Sequence, residues 1–210
     1  MKSFFIILLL TLSQYVNAQD YEFDSMTLYS TKSNQLESKV LNYTNSKVND
    51  YVLKMFTNVE YPEARLYDYK NNKVHYFKIS EVKLKNEVTT NFIYETSYKF
   101  ETGEEYYPKY VYDFETVEEN VDFKKVKLSV YKNSKRKKSI AHFDLKMKPN
   151  DSNLFHAFGV SCIHRFNFVQ NFNIDGNYIV ESAKIITSDG QIIEHTLLEY
   201  KKVNLRLKIQ

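Results

Sequence analysis

The sequence predicts an all-β, mainly antiparallel domain: a sandwich, or a closed or half-open barrel, of about 10–12 short strands with at most one or two short helices. Three observations predict it. Wherever hydrophobicity is periodic, its period is two, the mark of a strand with one buried face. Residues that tolerate positive φ fall between the periodic segments, at hairpin spacing. Helix start and stop signals are few.

Short strands are read at residues 25–31, 39–44, 51–57, 65–69 and 74–79. Residues 91–101 set Phe92, Tyr94, Thr96, Tyr98 and Phe100 against Ile93, Glu95, Ser97, Lys99 and Glu101. Residues 106–116 repeat the pattern, with Tyr106, Pro108, Tyr110, Tyr112 and Phe114 on one face and Lys109, Asp113 and Glu115 on the other. Thr102-Gly103 lies between, so the two segments are expected to pair as a hairpin. Residues 124–131 bury Val126, Leu128 and Val130, and residues 139–147 bury Ala141, Phe143, Leu145 and Met147. The strongest hairpin signal is Asp189-Gly190, between residues 178–187 and 192–200. The last alternation, Val203, Leu205, Leu207 and Ile209, is regular enough to be a paired strand. Asn71-Asn72 and Asp175-Gly176 mark further turns. Two short helices are expected, one from Pro62 through Glu63, Ala64 and Arg65, the other over residues 151–158 and ending at Gly159.

Residues 1–18 read as a cleavable signal peptide. Lys2 supplies the charge, an apolar run follows, and Val16-Asn17-Ala18 matches the small-x-small cleavage pattern. The run falls short of the roughly 20 apolar residues a membrane-spanning helix needs, so no stable membrane insertion is expected. Residues 19–210 form a single domain, without repeats or Pro/Gly linkers. A periplasmic or extracellular location follows. The abundance of Lys, Asn, Ile, Tyr and Phe resembles that of exported proteins from AT-rich Gram-negative bacteria.

The net charge of +3, reduced further by loss of Lys2, selects no partner. Lys135-Arg136-Lys137-Lys138 reads as a solvated turn, and no nucleic-acid partner is expected. Charge is patterned locally: residues 101–122 carry eight acids and one base, and residues 124–138 carry eight bases and no acid. Adjacent strands with attracting outward faces are implied.

No cofactor is indicated. The four glycines, at 103, 159, 176 and 190, are too dispersed for a phosphate-cradling loop. Gly159-Val160-Ser161-Cys162-Ile163 lacks the second glycine of a nucleophile elbow. In an extended strand Cys162 and His164 would share a face, as thiolate and base or, with His156, as metal ligands. The simpler reading buries them with Phe158, Val160 and Phe166, leaving no catalytic and no metal residues to assign.

The remaining candidate is aromatic. With 18 Tyr, 15 Phe and no Trp, the chain places Tyr94, Tyr98, Tyr106, Tyr110 and Tyr112 as a ladder on one side of a two-stranded unit. That ladder is either a Tyr-rich core face or a platform for a peptide, glycan or lipid. The function expected is a non-enzymatic binding or structural module. The alternatives are a small hydrolase using His164 with Cys162 or a carboxylate, and an eight-stranded outer-membrane barrel.

Overall fold

The computed structural model describes residues 19–34, 36–56, 62–84, 87–99, 110–163 and 174–209. The signal segment, Tyr106, Thr102-Gly103 and His164 lie outside them. Within them the chain is almost all antiparallel β, as the alternation predicts. The strands are β1 (Gln19–Ser33), β2 (Leu36–Thr44), β3 (Tyr51–Phe56), β4 (Glu63–Asp68), β5 (Lys73–Leu84), β6 (Glu87–Lys99), β7 (Val111–Glu119), β8 (Lys124–Tyr131), β9 (Ser139–Pro149), β10 (Tyr178–Thr187) and β11 (Ile192–Ile209). One helix, α1 (Phe155–Cys162), precedes β10.

All eleven strands form one sheet, in the order β6-β5-β4-β3-β2-β1-β11-β10-β9-β8-β7. Two meanders are joined where the first strand pairs with the last, from Gln19↔Ile209 to Ser33↔Ile193. The regular C-terminal alternation is therefore a central strand. β6 and β7 hold the edges, so the sheet is open and the eight-stranded closed barrel does not form. Residues 100–110 must nevertheless join those edges. Twelve Cα steps reach at most about 43 Å, whereas ten strand spacings would part the edges of a flat sheet by about 48 Å. Covalent length alone therefore curves the sheet.

Several expectations change. The segment after Pro62 is β4, not a helix, because Glu63 to Asp68 pair on both sides with β3 and β5. The second helix begins four residues later than expected and runs through Gly159. Asn153 Oδ1 accepts from Phe155 N at 3.0 Å and holds back its start. At Asp189-Gly190 the hairpin is as predicted, with Gly190 at φ 84° and Thr187 N donating to Gln191 O at 3.0 Å.

Two cores form on opposite faces. One gathers Tyr29, the inward residues of β8 to β10, and Phe155 and Phe158 of α1. The other gathers Tyr21, Phe23, Leu53, Leu66, Phe77, Leu207 and Ile209. β1 serves both, and the register shift between Phe23 and Ser25 marks where it leaves one for the other. Such a shift bends a strand and redirects its side chains.

A single row of charges crosses seven strands on the face away from α1. In register, Glu115, Lys127, Asp144, Lys184, Glu194, Lys32 and Glu37 alternate in sign from β7 through to β2. The β7–β8 part fulfils the expectation drawn from the acidic and basic blocks, reinforced by the Glu118–Lys125 and Glu119–Lys124 ion pairs at 2.7 and 3.0 Å. A slip of one residue would carry the row into the core. Lys184→Glu, which sets like charges against Asp144 and Glu194, is expected to cost about 1 kcal/mol, and Lys184→Gln about half that. The urea midpoint measures both, with the slope of the transition unchanged.

Candidate functional site

Opposed residues of a ladder share a face, so pairing alone assembles the candidate site. On the face that carries α1, Thr27, Asn42, Lys54, Arg65, Tyr76 and Thr96 form one cross-strand row from β1 to β6. Beside it runs Val52, Tyr67, Val74 and Tyr98. Helix α1 covers the first part of the row: Asn42 Nδ2 donates to Ser161 Oγ at 2.6 Å, and Lys54 Nζ donates to Val160 O at 2.7 Å. Further along, the row is a cationic and aromatic surface. Lys54 lies 5.5 Å from the Tyr67 ring centre, and Arg65 lies 4.7 Å from that of Phe56 and 5.3 Å from that of Tyr76. Tyr76 and Tyr98 meet edge to face at 5.6 Å, and Tyr98 is 59% exposed.

Electrostatics single out Lys54. Burial lowers its ammonium to about 8, and among the described residues it enters no ion pair. Arg65, by contrast, is held by Glu63.

The tyrosine ladder does not assemble as a unit. β6 and β7 stand at opposite edges and are not paired, so the hairpin expected between them is absent among the described residues. A second break lies within β6. The pairing shifts between Tyr76↔Thr96 and Phe77↔Tyr94, which puts the even-numbered Tyr94 and Tyr98 on different faces. Tyr98 joins the row beside Arg65. Tyr94, 39% exposed, packs on Phe77 at 5.9 Å, over the second core. Tyr110 and Tyr112 pack against the α1 core, and burial pushes the Tyr112 phenol up.

Tyr94 also ends a chain of hydrogen bonds. Its hydroxyl and Ser97 Oγ are 2.7 Å apart, Ser97 Oγ is 2.6 Å from His75 Nδ1, and His75 Nε2 is 3.3 Å from Tyr21 OH. Tyr21 OH donates to the buried Asp68 at 2.7 Å. The order Ser, His, Asp suggests a catalytic relay, but a tyrosine separates His75 from the acid, and Asp68 also accepts from Asn71 N and Nδ2 at 2.9 and 2.6 Å. The network satisfies polar groups buried under β1.

Cys162 sits in the last turn of α1, not on the strand expected to align it with His164. Helical spacing directs Phe155 and Phe158 into the core with Cys162 beside them, and burial pushes the thiol up, against the thiolate a nucleophile needs. Among the described residues no group of three or more His, Cys, Asp or Glu side chains could hold a metal. A groove of about 440 Å³ lies over the charge row, where Lys127, Asp144, Lys184 and Glu194 alternate in sign, and its two further lysines, Lys125 and Lys146, are paired with Glu118 and Glu181.

No protein-family model matches the chain, and no curated protein matches it. Solved structures give faint likenesses. One is a domain assigned to outer membrane lipoprotein sorting from Vibrio parahaemolyticus, 8% identical over 86% of this chain and 85% of that one, with a TM-score of 0.25. Another is a DUF1329 family protein from Desulfovibrio piger, 11% identical over 93% and 90%, with a TM-score of 0.24. Likeness at this level assigns neither family nor activity.

Two imidazoles, one buried and one partly buried, lie at α1. His195, 2% exposed, lies 2.9 Å by Nδ1 from Thr31 Oγ1 and edge-on to Phe158, and His156 belongs to the helix itself. Burial lowers both to about 4. Their folded values lie below the ordinary 6.5, so the stability they permit is full above pH 6.5 and is lost as pH falls toward 4. For His195 alone the loss is on the order of 3 kcal/mol. Urea unfolding at pH 7.5, 5.5 and 4.5 should show that decline, flattened in His195→Gln; equal midpoints across the range would contradict the burial.

Proposed function

We propose that the chain is an exported, non-enzymatic binding module whose ligand lies along the cationic and aromatic face of β3 to β6. The observation that carries this reading is the unbroken run of Lys54, Arg65, Tyr67, Tyr76 and Tyr98, left partly exposed where α1 ends. Aromatic rings beside cations bind flat or apolar bodies bearing negative charge. Sheet pairing holds each residue, so little order is lost on binding. Export rests on the pattern of Lys2, the apolar run and Ala18. No helix among the described residues is long and apolar enough to cross a membrane.

Native mass spectrometry of the protein recovered from its own exported fraction tests the proposal. A bound small molecule is expected, and Tyr98→Ala or Tyr76→Ala should weaken its retention about tenfold, the equivalent of one aromatic contact. Because Tyr98 is 59% exposed, its variant should keep the wild-type melting temperature. Equal retention by both variants would remove the face from consideration.

A further inference from the structure

Two deficits lie side by side under the last turn of α1. Lys54 is partly buried, and among the described residues its ammonium makes one hydrogen bond, to the carbonyl of Val160. Among the described residues Thr27 Oγ1, Asn42 Oδ1 and Thr44 Oγ1 are buried without a hydrogen-bond partner, on residues exposed by no more than 1%. Buried polar atoms are nearly always paired, with protein, water or a bound group, and a buried charge is paired or coordinated. Each deficit therefore asks for a partner.

Register brings them together. Thr27 opposes Asn42, and Asn42 opposes Lys54; opposed Cβ atoms are about 4.5–5.5 Å apart. Thr44 is two residues along β2 and so on the same face, opposite Ser25. The donors not yet used are two N–H groups of the ammonium and the hydroxyls of both threonines. Asn42 Oδ1, whose amide nitrogen is committed to Ser161, accepts a ligand hydroxyl or a water. Such a set complements an oxyanion, whose oxygens accept from the ammonium and hydroxyls while its charge meets that of Lys54.

Building on the binding face just described, we propose that Lys54, Thr27 and Thr44 form the seat for the ligand's anionic end, a carboxylate or a phosphate monoester. The body of the ligand then lies along Arg65, Tyr76 and Tyr98.

Binding is coupled to protonation. Among the described residues, the titratable groups around the ammonium are Cys162 of α1, and Arg65 and Tyr67 of β4. An anion favours charged Lys54, so occupancy raises its midpoint from about 8, and affinity falls as pH rises through that value. Reciprocity makes binding about sevenfold weaker at pH 9.5 than at pH 7 for a one-unit rise, and more for a larger one.

The test follows the Lys54 side chain by NMR of the intact protein with 13C-labelled lysine, titrated with inorganic phosphate, acetate and 4-phenylbutyrate. An upward move of the Lys54 midpoint by a unit or more with any of them supports the seat. Phosphate or acetate alone points to a free ion, and 4-phenylbutyrate binding at least tenfold tighter than acetate points to an anion on an apolar body. Lys54→Gln and Lys54→Met should abolish the accompanying thermal shift. A midpoint indifferent to all three probes overturns the seat and leaves waters as the partners of the orphaned oxygens. If Tyr98→Ala still loses retention in that case, the binding face stands without the seat; if Lys54 responds while the tyrosine variants retain ligand normally, the face fails and the seat stands.

Discussion

The ladder between β1 and β11 is the interaction on which the rest depends. It is the strand pairing that joins the two meanders, and both cores draw side chains from it: Tyr29 and Leu197 on one face, Tyr21, Phe23, Leu207 and Ile209 on the other. The pairing joins the two ends of the described chain, so it closes the longest loop in the molecule. Contacts of that kind cost the most entropy before any return and place such folds among the slower ones. The ladder is not uniform. Its two register shifts, after Phe23 and after Leu28, let one pair of long strands face two cores.

The candidate site follows from that arrangement. β1 supplies Thr27 and pairs with β2, which supplies Asn42 and Thr44, and β3 adds Lys54. Helix α1 then rests on β1, β2 and β10 and encloses the polar stretch. The apolar side of the helix is spent on the core through Phe155 and Phe158. What remains to face the sheet is Ser161 and the backbone carbonyl of Val160, and these meet Asn42 and Lys54.

Much of the strand map was legible because side-chain direction alternates locally: Val126, Leu128 and Val130, or Leu205, Leu207 and Ile209, announce a buried face without reference to any partner. The turn at Asp189-Gly190 was legible for the same reason, since its chemistry is local. The tyrosine platform was misread where information is not local. The shift opposite Phe77 that separates Tyr94 from Tyr98 depends on β5, and the distance between β6 and β7 depends on β1 finding β11. Helix α1 escaped in part because Phe158, Val160 and Phe166 alternate as a strand would, while Phe155, Phe158 and Cys162 also fit one helical face. Among the described candidates, Tyr98 was the one retained in the site. Lys54 and Arg65 left no signal in a basic chain, because their neighbours come from other strands.

Among the described residues the sheet has eleven strands, an odd number. Direction alternates at every step of an antiparallel sheet, so β6 and β7 point the same way. Rolling the sheet further would bring two like-directed margins together, and the ladder used everywhere else could not zip them. An odd count of described strands therefore leaves each margin without an antiparallel partner in the other, whatever the side-chain contacts do.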